Sequence, residues 1–127
     1  MSSIPSTEPF YSLTRRAGDL VFLSGHGPVD QDLNVVGTTI EEQTNHTMEA
    51  IGRALASEAL DFADLVRVNV FLLNMEDRDG FNNAYYKFFA GGPVPTRRLV
   101  GAGDMFKGIL VEIDGIAYRG DKNRWRS

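Results

Sequence analysis

Pro95-Thr96-Arg97-Arg98-Leu99-Val100-Gly101 and, a little further on, Ile109-Leu110-Val111-Glu112-Ile113 are the two segments whose relation decides the fold. Both are rich in apolar residues, and Gly101, Gly103 and Gly108 punctuate the space around and between them. Read as an antiparallel hairpin centred near Asp104-Met105, the register brings Arg97 and Glu112 roughly opposite each other. Directly opposed side chains lie within about 5 Å at Cβ. A charged pair held on rigid strands is a better candidate for a site than one on loops.

Working back from that pair, Asp79 to Phe89 fits a helix with Phe81, Ala84, Tyr85 and Phe88 on one side, and Gly91-Gly92-Pro93 ends it. Asp64 to Leu73 has period two, with Val66, Val68, Val70 and Leu72 alternating with Arg67 and Asn69, which predicts a strand buried on at least one face. Thr39-Ile40-Glu41-Glu42 has the form of a capping box. The apolar stripe that follows, Ile40, Thr44, Thr47-Met48, Ile51, Ala54-Leu55 and Ala59, predicts a helix of about five turns. Gly18-Asp19 is a turn signal between a short strand near Tyr11–Arg15 and an apolar strand at Leu20–Ser24. Gly25 to Gly37 reads as a loop with room for one short strand.

Residues 1–9 form an extended lead-in, and 120–127 a polar tail in which Trp125 sits on an end expected to fray. The whole of 1–127 is one domain of β-β-(β)-α-β-α-β-β order. Two helices of this length cover one face of a single mixed β-sheet, an α+β domain. The other face also carries apolar residues, which leaves it for a partner subunit.

Composition narrows the function classes. With 43% hydrophobic and 24% charged residues the chain reads as globular. No apolar run approaches the roughly 20 residues of a membrane span. The N-terminus lacks a basic-then-apolar leader, so a cytoplasmic location with no membrane partner is expected. Zero cysteines exclude disulfides and thiolate chemistry. Only His26 and His46 are histidines, in no metal-ligand spacing, so no metal is expected. A formal net charge of −4 argues against nucleic acid as a partner. Arg15-Arg16 and Arg97-Arg98 are local exceptions without an interleaved aromatic platform, and surface arginines explain them.

Arginine offers a planar fork that matches a carboxylate or phosphate. A glutamate between Val111 and Ile113 is expected to lose solvent, which raises its pKa and suits it to proton transfer. Together they describe a site that grips a small anion and moves a proton near it. From spacing alone, a purely structural cross-strand ion pair fits as well.

Pro95-Thr96-Arg97, the apolar-glycine stretch and Val111-Glu112-Ile113 resemble the hallmark of the reactive intermediate deaminases, the RidA or YjgF-like family. Tyr11-Ser12, the Ala17 to Gly25 segment, and Phe81-Asn82-Asn83-Ala84-Tyr85 with Phe88-Phe89 resemble further family landmarks, in order, from about residue 9 to 119. The resemblance implies a YjgF-like (chorismate-mutase-like) fold and a homotrimer with inter-subunit clefts. It also implies cofactor-free hydrolysis of enamine/imine intermediates, 2-imino acids going to 2-oxo acids and ammonia. Arg97 is then the carboxylate clamp, and Glu112 positions or deprotonates water. Tyr11, Ser24, Gly25 and Asn82 fall at substrate-binding positions. Two positions depart from the family pattern. Leu99 stands where a cysteine is common, giving a drier pocket. His26 stands where glutamine is usual, where it is either a second proton donor or, as loop histidines more often are, a polar neighbour. The alternatives left open are a deaminase of an aminoacrylate or aminomuconate, a non-catalytic regulator binding 2-oxo acids, and, weakest, RNA cleavage.

Overall fold

A computed structural model describes residues 10–121; the lead-in and Trp125 lie outside the described residues. Strands β1 (Thr14–Ala17), β2 (Leu20–His26), β3 (Leu65–Leu72), β4 (Thr96–Gly101) and β5 (Val111–Tyr118) form one mixed sheet, with helices α1 (Ile40–Ser57) and α2 (Arg78–Tyr85). The spatial order is β1-β2-β5-β3-β4. This is the α+β class expected, with both helices on one face.

Local chemistry sets the boundaries. The Thr39 side chain accepts from the Glu42 N–H, and the Glu42 carboxylate accepts from the Thr39 N–H, closing the capping box at the start of α1. The helix stops at Ser57, short of Ala59, which takes a left-handed conformation (φ 60°). Its buried stripe matches the expected one and adds Gln43. The Gln43 amide donates to the Gly37 carbonyl and accepts from the Leu110 N–H, fastening two loops to the helix. The second helix is shorter than expected, since its last turn, Tyr86–Phe89, tightens to 3₁₀. Strand β1 begins later than expected, at Thr14, and the 25–37 loop holds one isolated bridge, Val29 to Val35.

The hairpin expectation fails. Strand β4 pairs with β3, in parallel, and β5 pairs with β3 on its other side, antiparallel. The segment connecting β4 to β5 is a loop with a 3₁₀ turn at Phe106–Gly108. The β3-α2-β4 order is a strand–helix–strand unit, which supplies the crossover that parallel pairing requires. Strand β3 therefore lies between the two segments read as partners.

That order separates two faces. Val21 and Leu23 of β2, Val68, Val70 and Leu72 of β3, and Val111, Ile113 and Ala117 of β5 face the helices and pack against Met48, Ile51, Leu55, Phe81 and Tyr85. The alternate residues face away from the helices, on a surface that no element among the described residues covers. Leu20 (36% exposed) and Phe22 (42%) stand there opposite Tyr118 and Ile116. Arg67, Asn69 and Asp114 share this bare face, with the Asn69 amide donating to Asp114 at 2.8 Å.

Candidate functional site

Arg97 pairs with Val68 and so projects to the helix face, beside α2. One guanidinium N–H donates to the Asn82 side-chain oxygen at 2.8 Å. The guanidinium carbon lies 5.7 Å from the centre of the Phe81 ring, 5.3 Å from Tyr85 and 5.8 Å from Tyr86. Phe81 and Tyr85 stack on each other with centres 5.1 Å apart, as their spacing of four along α2 requires. These contacts hold the planar group without neutralising it. Among the described residues the ion pairs are Arg16–Glu58 and His46–Glu49, so no carboxylate meets Arg97. A half-buried guanidinium with one of its five donors bonded to Asn82 is suited to take an anion. The buried Tyr85 hydroxyl beside it has no partner among the described residues, and burial pushes its pKa up, keeping the phenol neutral.

Glu112 pairs with Phe71 and projects to the bare face. Its carboxyl lies against Gly25, where an added Cβ would meet the Glu112 Oε2 at 2.6 Å. Glycine at 25 therefore makes room for the carboxylate. Gly25 occupies a bulge in β2, where Leu23 pairs with Gly115 but His26 pairs with Ile113. Loss of solvent, with the Asp114 carboxylate nearby as a smaller cause, raises the Glu112 pKa above its usual 4.5. The direction agrees with the sequence reading, but the cause differs. Val111 and Ile113 point to the opposite face, so the desolvation comes from Gly25 and the surrounding cleft.

That cleft has a volume of about 230 Å³. Tyr11, Gly25 and Glu112 line it on one side, while Val29, Leu33, Phe106 and Ile109 form an apolar wall. Gly27 completes it, and a Cβ there would meet the Ile109 side chain at 2.9 Å.

The sequence candidates thus fall into two groups. Arg97, Asn82 and Leu99 share the helix face, with Leu99 packed against the core. Tyr11, Gly25 and Glu112 share the cleft. Ser24 and His26 line neither. The Ser24 hydroxyl and N–H both bond the Leu13 carbonyl, at 3.4 and 3.0 Å. The His26 Nδ1 lies 2.7 Å from the Ser24 carbonyl, and burial, together with Arg53 of α1, lowers its pKa. Asn82 is selected over Asn83, which is exposed. Missed by sequence reading were Tyr86 beside Arg97 and the apolar wall of the cleft. The Phe81/Tyr85 spacing was a usable signal; the wall, drawn from two loops, left none.

Arg97 and Glu112 are therefore not neighbours within a chain. Three residues of strand rise and two strand spacings separate them, each about 10 Å, and they leave the sheet on opposite faces. Among the described residues no three His, Asp or Glu side chains gather as a metal site.

Comparison with known proteins places this arrangement. The family described as Endoribonuclease L-PSP matches residues 1–119. A RutC family protein of Saccharolobus solfataricus is 36% identical over 110 residues, 86% of each chain. The structure of a protein of the conserved Rid family from Yersinia pestis superposes with a TM-score of 0.83 at 27% identity, covering 92% of this chain and 98% of that one. RidA from an Antarctic Psychrobacter superposes at 0.81 with 25% identity, over 90% and 92%.

Proposed function

The chain belongs to the endoribonuclease L-PSP family, the Rid or YjgF-like proteins, and from that premise we propose that it hydrolyses 2-imino acids, with their enamine tautomers, to 2-oxo acids and ammonia. The observation that carries this reading is Arg97. It is fixed by Asn82 and three aromatic rings, it has donors to spare, and no carboxylate among the described residues meets it. A small carboxylate is the ligand that such a fork fits.

Glu112 supplies the second requirement. Its raised pKa brings the carboxyl toward the range in which it can take and return a proton. Water attacks the imine carbon as Glu112 accepts its proton, and Glu112 passes that proton to the imine nitrogen, giving a carbinolamine. Glu112 then takes the carbinolamine hydroxyl proton and delivers it to that nitrogen, the C–N bond breaks, ammonia leaves and the C=O bond forms. Tyr11 and the Gly25 backbone border the reacting centre, whereas Ser24 and His26 act by shaping the β2 bulge.

Because one chain places Arg97 and Glu112 on opposite faces of its sheet, the complete site needs two copies. The uncovered face with Leu20 and Phe22 fits a homotrimer with sheets packed inward and a cleft at each junction. Arg97 of one copy would then close the Glu112 cleft of the next.

RNA cleavage, the activity in the family's description, fits this chain less well. A net charge of −4 opposes binding of a phosphate backbone. A cytoplasmic location remains the proposal; among the described residues no helix is long and apolar enough to cross a membrane.

The test generates 2-iminopropanoate with an amino-acid oxidase and lets semicarbazide compete with the protein for it. Diversion of the imine to pyruvate by wild type, lost in folded Arg97→Ala and Glu112→Ala, is expected. Binding of pyruvate without turnover would instead make the cleft a sensor.

A further inference from the structure

We infer that the cleft beside Glu112 selects its substrate by an aliphatic side chain of about leucine size, with Phe106 and Leu33 as the selecting rim. The inference rests on the proposed hydrolase reading and adds the substrate class.

Phe106 (52% exposed) and Leu33 (48%) are large apolar side chains held at the surface, and neither belongs to the hydrophobic core. Both line the cleft. Their loops are built to hold them. The Asp30 carboxylate accepts from the Asp32 and Asn34 N–H groups, each at 2.9 Å, and the Val36 N–H donates to the Pro28 carbonyl at 2.7 Å. Leu33 takes a left-handed conformation (φ 65°), and so does Lys107 (φ 50°). Backbone of this kind is strained and persists where surrounding contacts fix it. The Lys107 ammonium supplies such a contact. It donates to the Leu33 carbonyl at 2.7 Å and lies 5.5 Å from the centre of the Phe106 ring. One lysine therefore ties the 29–35 loop to the 106–108 turn and sets the rim before any ligand arrives.

The carbon of a 2-imino acid carries three substituents. Arg97 takes the carboxylate and Glu112 faces the nitrogen and the attacking water. The side chain is left with Val29, Leu33, Phe106 and Ile109. At about 30 Å³ per small group, the 230 Å³ cleft holds roughly eight heavy atoms. The imine carbon, its nitrogen and the methyl of 2-iminopropanoate leave most of that space empty, and a leucine-derived imine fills it. Each buried CH₂ is worth about fourfold. Three further carbons in a cleft open to water on one side give an expected preference of roughly tenfold.

The test measures kcat/KM of the assembled protein for the imines of leucine and alanine, each generated by an amino-acid oxidase. Calorimetry with 4-methyl-2-oxopentanoate and pyruvate runs in parallel. Wild type should favour the leucine-derived ligands by roughly tenfold in both measurements. Phe106→Ala should bring the ratio towards one, and Lys107→Met, which keeps the stem but frees the Leu33 loop, should lower it in part. A wild-type ratio at or below one overturns the inference, and so does a ratio that Phe106→Ala leaves in place. If neither imine is hydrolysed, the hydrolase reading falls, and the binding ratio still decides the rim. Equal or absent oxo-acid binding then overturns the rim as well.

Discussion

The Arg97 half and the Glu112 half of this protein are built by opposite means. Around Arg97 the work is local. Phe81, Asn82, Tyr85 and Tyr86 come from one helical stretch, and the strand that carries the arginine follows that stretch directly. Around Glu112 nothing is local. Its setting is assembled from Tyr11, the β2 bulge at Gly25, the 29–35 loop and the turn at Phe106. Arg97 is held with hydrogen-bond donors unused. Glu112 is held with its charge disfavoured, since burial raises its pKa. In the proposed hydrolase neither half is a site alone: one supplies fixed positive charge, the other a proton acceptor that gives its proton back.

Substitutions should affect the two halves differently, and the largest effect is expected at Glu112. Glu112→Gln keeps shape but removes the base, and kcat on 2-iminopropanoate should fall by about 10²–10⁴. If KM rises instead with kcat intact, Glu112 binds and does not transfer protons. Arg97→Ala removes charge-assisted bonds of about 1.5–3 kcal/mol. It should raise KM, and the pyruvate dissociation constant, by roughly 10–100-fold. A loss confined to kcat would move Arg97 from clamp to chemistry and blur the contrast.

Asn82→Ala is a smaller step on the same side. It removes the Asn82 side-chain bond to the guanidinium, and KM should rise by a few fold, on the scale of about 1 kcal/mol. No change in KM would show that the aromatic rings suffice. The smallest effect is thermodynamic and belongs to Glu112. Its folded-state pKa lies above the unfolded value, so its favourable contribution is complete below about pH 4.5 and is lost as pH rises through the raised pKa. Melting curves of wild type and Glu112→Gln should coincide near pH 4, with the variant the more stable at neutral pH. A gap that opens in acid instead would mean that the ionised carboxylate is favoured, contrary to its setting.

The same division explains what the sequence made legible. The Thr39 capping box, the α1 stripe, the alternation along β3 and the stop at Gly91-Gly92-Pro93 depend on neighbours in the chain, and each could be read. Strand pairing depends on partners elsewhere. The hairpin joining Arg97 to Glu112 matched turn residues and apolar runs, but both segments pair instead with β3, one along each of its edges. Two signals pointed the right way. A helix lies between β3 and β4, and the connection from Gly101 to Val111 is long for a tight turn. Arg97 and Glu112 were wrong as neighbours within one chain, since β3 lies between their strands. Leu33 and Phe106 left no pattern, because a cleft formed by two loops has no period.

The central claim is that Arg97 and Glu112 meet across two copies, and complementation tests it most directly. Arg97→Ala and Glu112→Ala chains, each inactive as a pure assembly, are unfolded together in equal amounts, refolded, and assayed for diversion of 2-iminopropanoate to pyruvate. Random mixing gives about one junction in four with an intact Arg97 from one copy and an intact Glu112 from the next, so recovery of roughly a quarter of wild-type activity is expected. If mixed assemblies form but stay as inactive as either variant alone, the two residues do not share a site between copies.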